Sequence, residues 1–166
     1  PATPMTPRWN TSCRIIINYL DHIQPIWEKS RPATDGNGQP IDNRCTGCHA
    51  PTDANGLAQV PKGQLDLTNS PSDRDADRVL SFSELFTTDT QQQLTGGAVT
   101  DVPPDIINNP DGTVTTIEHN VAPTMVAGSA IGSTRFFGCF NGGTCGNSGE
   151  TGTDHTDMLT AGERRL

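Results

Sequence analysis

Apolar residues in this chain fall into short, widely spaced groups, and the spacing within each group predicts the elements. From Asn18, the positions Tyr19, Leu20, Ile23, Ile26 and Trp27 recur at helical intervals. Asn18 is placed to cap the first turn, and Glu28, Lys29 and Ser30 close the run on polar residues. Pro25 lies inside it and should kink the helix or confine its regular part to the residues after the proline, because proline removes a backbone donor and crowds the preceding turn. Between Asp75 and Leu94, the residues Val79, Leu80, Phe82, Leu85 and Phe86 predict a second helix, with the acidic stretch Asp73–Asp77 at its positive end. A third is expected over Ser129–Phe140, carrying Ile131, Phe136, Phe137 and Phe140. Thr160 and Glu163 stand at capping-box spacing and open a fourth, cut short at Leu166, as in a fragment of a longer chain.

The connections are long. Residues 1–16 read as a lead-in or linker, Pro1–Arg8 holding three prolines and no periodicity, and residues 17–166 as one domain. Arg31–Arg44 is turn chemistry throughout. Its Asp35, Asn37 and Asp42 lack the glutamate that completes an EF-hand loop, so a solvated loop is the expectation there, not a calcium site. Over Gly96–Asn120, Pro103-Pro104 and Asn109-Pro-Asp-Gly112 precede the β-branched run Thr113–Ile117, which suits a turn and a short extended arm.

Composition removes whole classes. The apolar stretch around Ile15–Ile17 is far short of the roughly 18 residues a spanning helix requires, so no membrane span is expected. A net charge of −8, from 11 Lys+Arg against 19 Asp+Glu, argues against a nucleic-acid partner, whose phosphates demand a basic face. Apolar residues are 32% of the chain and aromatics 5%, so side chains alone make a thin core and something else is expected to fill the middle.

One motif carries chemistry. Cys45-Thr-Gly-Cys48-His49 is a C-x-x-C-H run, the pattern of c-type haem attachment. Two cysteines at this spacing reach the two vinyl groups of one haem, and the adjacent histidine then becomes the proximal iron ligand. A porphyrin would also supply the missing core. Two other readings of the same residues are weaker. A thioredoxin-type pair wants a βαβ setting, which no pattern here provides. A structural zinc site wants a second paired half-site, whereas Cys139 and Cys145 are separated by five residues. Haem c is attached on the oxidising side of a membrane, so a periplasmic or extracellular location and disulfides are expected. The start is Pro-rich rather than basic and apolar, as in a mature or trimmed chain. Cys139 could close a small loop with Cys145 and leave Cys13 odd, or either could pair with Cys13.

An electron carrier usually has a second axial ligand, and the candidates are Met5, Met125, Met158, His22, His119 and His155. Met125 sits in a loop after Pro123-Thr124, where a methionine ligand or a flexible core filler both fit. His155 sits in a loop ahead of the terminal helix signal, from which a side chain can reach over a haem or simply face solvent. His22 suits packing or capping, and His119 has no distinguishing feature.

The order Ile17–Trp27, Cys45-x-x-Cys48-His49, Gly63–Thr68, Ser81–Leu85, Ser133–Phe137, His155 and Leu159–Leu166 resembles the C-terminal cytochrome c domain of proteins related to the hydrazine synthase alpha subunit. That resemblance covers most of the chain from Ile17 onward and implies a mainly α, class I cytochrome c-like domain with long loops. It also implies bis-histidine coordination, with His155 opposite His49 and Met125 or Met158 as alternatives. The expected function is electron transfer by a single covalent haem c, as a relay among redox partner proteins, other haem domains or copies of itself. In that family the resembled domain looks like the relay haem, not the reactive one, so no catalytic residue is expected. Two rivals are a haem enzyme acting on a small nitrogen or oxygen compound at an open iron site, and a structural unit of a cytochrome assembly.

Overall fold

A computed structural model describes residues 16–129, 132–140, 155, 158–160 and 163. Residues 1–15 of the lead-in, most of the segment expected to hold the terminal helix, Ile131 and Cys145 lie outside them, and with the lead-in Met5 and Cys13.

The first helical run forms, but in two parts. A π-helical turn, Tyr19–Ile23, passes directly into α1, Gln24–Glu28. Asn18 caps the turn as expected, its side-chain oxygen accepting from the N–H of Leu20 at 2.9 Å and of Asp21 at 3.4 Å. Pro25 stands in the first turn of α1, where a missing N–H costs nothing, and Gln24 N–H reaches back to Tyr19 O. The regular α-helix is therefore confined to the residues around and after the proline, the second of the two expected outcomes, with a change of hydrogen-bond register ahead of it.

The mainly α expectation fails. Of the described residues 23% are helical and 25% are in strands, the latter in small antiparallel sheets. Four two-stranded pairs hold most of them, β1 (Pro32–Thr34) with β2 (Pro40–Asp42), β3 (Asp89–Thr90) with β8 (Asn120–Val121), β4 (Gln92–Thr95) with β5 (Ala98–Asp101), and β6 (Asp105–Asn108) with β7 (Val114–Ile117), and isolated bridges hold the rest. The second helix shrinks to α3, Leu80–Phe86, and the expected continuation to Leu94 becomes β3 and β4. Asp75 instead pairs with Arg78 in the turn before α3. The third helix contracts to α4, Thr134–Gly138.

Turn residues explain the strands. Gly96 and Gly97 both take positive φ (61° and 82°), the backbone that a tight hairpin loop demands, so β4 and β5 pair locally across them. Helical spacing alone could not reveal that such a turn would capture the residues before it. Arg31–Arg44 folds likewise into the β1–β2 hairpin. Asp35 accepts from the N–H groups of Asn37 (2.9 Å) and Gln39 (2.7 Å), so its carboxylate shapes the turn.

The core is small. Trp27, Cys45, Leu65, Leu67 and Leu85 form it, with Tyr19, Ile23, Ile26, Phe86, Met125 and Phe136 packed around. A series of polar contacts runs through it. Trp27 Nε1 donates to the Tyr19 hydroxyl (2.9 Å), that hydroxyl to Ser81 Oγ (3.1 Å), and Ser81 to Gln24 Oε1 (2.6 Å). Gln24 Nε2 then donates to Leu67 O at 3.0 Å. Every donor in the series finds an acceptor, which is the condition for burying polar groups at low cost.

Candidate functional site

Cys45–Cys48 forms α2, a single helical turn that starts from extended Arg44 and ends where His49 leaves helical backbone (φ −100°, ψ 59°). The turn puts the two thiols at different depths. Cys45 is buried in the core cluster, and Cys48 is exposed; both are free. Gly47 sits tightly under Arg44, where a Cβ would come within 3.3 Å of the arginine side chain.

His49 is fixed from several directions. Its backbone N–H returns to Cys45 O at 2.9 Å, and its carbonyl accepts from Leu67 N–H at 2.9 Å. The ring's Nδ1 lies 3.1 Å from Leu65 O. A backbone carbonyl can only accept, so Nδ1 carries the proton and Nε2 is left with its lone pair. Burial, joined by the neighbouring His155, lowers the His49 pKa to about 4 against the pull of the Leu65 and Lys62 carbonyls. The imidazole is therefore neutral at physiological pH, the form that binds metals.

The imidazole of His155, from the far end of the domain's sequence, faces that of His49, with ring centroids 6.0 Å apart and planes inclined at 39°. A metal–imidazole bond is about 2.0–2.1 Å, so two imidazoles at this separation are close enough that both could reach one ion between them. An aromatic row leads to the pair from the core: Trp27 meets Phe136 at 5.9 Å, Phe136 meets Phe140 at 5.3 Å, and Phe140 meets His155 edge-on at 5.6 Å.

The other described candidate ligands make contacts of their own. Met125 packs on the core cluster and its N–H donates to Leu85 O at 2.8 Å. Met158 N–H donates to His155 O at 3.0 Å, so it braces the loop that presents the histidine. His22 is a cap, its Nδ1 accepting from Asn18 N–H at 3.0 Å. His119 is 3.2 Å from Asp105 on the β arm. Thr160 and Glu163 make the reciprocal bonds of a capping box: Thr160 N–H to Glu163 Oε2 at 2.8 Å, and Glu163 N–H to Thr160 Oγ1 at 3.3 Å. Cys139 is disulfide-bonded, while Cys13 and Cys145, the two partners that the sequence offers it, lie outside the described residues.

Arg31 is hidden in the sequence. It reads as one more turn residue, yet its guanidinium is buried between α1 and α2, 3.8 Å from Cys45 Sγ. No spacing rule links positions 31 and 45, so only the fold discloses it. The chain matches no protein-family model, no curated protein and no solved structure.

Proposed function

We propose that this chain is an electron-transfer domain that carries one covalent haem c. The observation that carries the proposal is the C-x-x-C-H turn with a second imidazole 6.0 Å from the first. Cys45 and Cys48 would form the thioethers, His49 would be the proximal ligand, and His155 the distal one. When bound, the haem supplies a one-electron iron couple.

The chain's own residues orient and insulate. Leu65 O holds the His49 ring by its Nδ1 proton, which fixes the tautomer and makes Nε2 a better donor. Phe140 stands edge-on against His155 and restricts its rotation. Leu65, Leu67 and Leu85 keep water from the Cys45 side, and a drier setting is one of the levers on a reduction potential. Two histidine ligands favour a lower potential than His and Met, and two ligands from the protein leave no site for a substrate, which favours electron relay over haem catalysis. The resemblance to hydrazine synthase alpha subunit-related proteins points the same way.

Covalent haem attachment implies export to a periplasmic or extracellular space, with redox partner proteins there. Among the described residues, no helix is long and apolar enough to cross a membrane. The test is a visible spectrum of the full chain, oxidised and then reduced with dithionite, with acid–acetone extraction and intact mass. Haem that stays with the chain and gives sharp low-spin reduced bands is the expected result. A colourless chain from a host competent in c-type maturation would overturn it, and a methionine-to-iron charge-transfer band would replace His155 by Met125 or Met158.

A further inference from the structure

Arg31 is buried where a surface cation would have served the helix end equally well. Its Nη2 donates to Ile26 O at 2.7 Å and its Nη1 to Lys29 O at 2.9 Å, which closes the C-terminus of α1. Nη1 also approaches Cys45 Sγ at 3.8 Å. The facing carboxylate is Glu163, 3.5 Å from Nη2 and 2.8 Å from Lys29 Nζ. The Arg31 and Glu163 side chains are only 11% and 10% exposed, whereas that of Lys29 is 55% exposed. Among the described residues, Arg31 Nε is buried with no hydrogen-bond partner, a costly arrangement that closing a five-residue helix does not require.

Arginine keeps its charge when buried, and a charge acts most strongly where water is excluded. We infer that Arg31 is a positioning residue that holds the Cys45 sulfur and sets the electrostatic field at the edge where the cofactor is attached, with Glu163 as its counterweight. This rests on the proposed haem function. In the chain before attachment, the Nη1–Sγ contact holds the Cys45 sulfur in place. Attachment adds Sγ–H across a vinyl C=C: a C–S bond forms at one carbon, the proton ends on the other, nothing leaves and no oxidant or reductant is consumed. Afterwards, the fixed positive charge favours the reduced iron, which carries one positive charge fewer, and Glu163 opposes it.

The test uses the full chain matured with haem: wild type, Arg31→Met, Glu163→Gln and the double variant R31M/E163Q, each titrated spectroelectrochemically. Arg31→Met should shift the oxidised-to-reduced ratio about tenfold toward oxidised, a potential lower by about 59 mV for a one-electron couple. Glu163→Gln should shift it the opposite way. If Arg31→Met leaves Glu163 stranded and does not fold, the double variant compared with Glu163→Gln isolates the arginine and should show the same lowering. Unmoved potentials, or single variants that move together, would overturn the inference. A second readout needs no haem: in the unloaded chain, the ratio of iodoacetamide labelling of Cys45 to that of Cys48 should change several-fold once Arg31 is replaced by Met, because the contact that positions the Cys45 sulfur is lost, and an unchanged ratio would count against the inference. A wild-type chain that never retains haem would defeat the proposed function, and the labelling ratio would still decide on Arg31.

Discussion

The segment around the two histidines and the β arm at residues 89–121 are built on opposite principles. In the first, contacts join distant positions: Gln24 bonds to Leu67, Tyr19 to Ser81, and Lys29 to Glu163. In the second, β4–β5 and β6–β7 pair across their own turns. The first encloses a cluster of apolar side chains, with Leu85 only 1% exposed, although Leu20 and Leu57 stay exposed, whereas the arm leaves Ile106 at 58% and Val114 at 60%. Local pairing closes short loops at little entropic cost but buries little, and an isolated two-stranded hairpin is marginal. Distant pairing costs more chain entropy and encloses a volume.

The two are joined at a narrow seam. β3 pairs with β8 at the base of the arm, Arg74 binds Asp89 at 2.5 Å, and Gln64 exchanges bonds with the backbone of Gln92 at 3.1 and 2.6 Å. Gln64 itself sits in left-handed backbone (φ 57°), one residue before Leu65, whose carbonyl clamps His49. The arm can therefore vary widely while the site stays intact, provided the seam holds.

The division between the two regions is tested most visibly at the attachment turn. Replacing both Cys45 and Cys48 by Ser should abolish haem that survives acid–acetone extraction, read by intact mass; retention of the haem would refute the attachment sites. Next in size, Leu85→Ala should destabilise the folded chain by about 2–5 kcal/mol in urea unfolding, because it opens a cavity in a core with few other apolar groups. A cost near zero would mean that the Leu85 cluster is not the core.

Glu84 tests the seam. It is buried on α3, and desolvation together with Asp89 and Asp66 raises its pKa to about 9. Between its ordinary value and about 9 the folded chain holds a proton that the unfolded chain has lost, so stability falls as pH rises through that window. The slope for one proton is at most about 1.4 kcal/mol per pH unit. Glu84→Gln should flatten it and raise the urea midpoint at pH 8 relative to pH 5; an unchanged slope would assign the dependence elsewhere. Asp42, held low at about 2 by Arg31 N–H and Arg44, works in the other direction: its contribution is lost only as pH falls below the ordinary carboxylate range. Smallest of all, Ile106→Thr on the arm should change stability by less than about 0.5 kcal/mol and leave the haem spectrum unmoved. A larger loss would show that the arm is packed against something in solution.

Legibility divides the molecule in the same way. The Asn18 cap, the helical run through Trp27, the C-x-x-C-H turn and the Thr160–Glu163 capping box are all readable in sequence, since each is a local pattern whose physics is complete within a few residues. The stretch after Phe86 reads as helix and folds as strand because its apolar spacing suits either state, and the choice falls to Gly96-Gly97, whose positive φ values favour a hairpin. Leu65 O, Arg31 and the Gln24–Ser81 pair leave no mark in sequence, because each acts by meeting a partner that chain folding brings from elsewhere.

By itself, then, the sequence determined where the proposed haem attachment would occur: cysteine spacing and an adjacent histidine are covalent facts that no fold can rearrange. It also offered His155, among several histidines and methionines, as a partner for His49, and only the family resemblance put it first. Only the tertiary structure decided which of these faces His49, which carbonyl orients the ring, which thiol is buried, and that a guanidinium lies beside it. Those are distances between residues far apart in the chain, and such distances are set by the packing of the whole core, not by any local pattern.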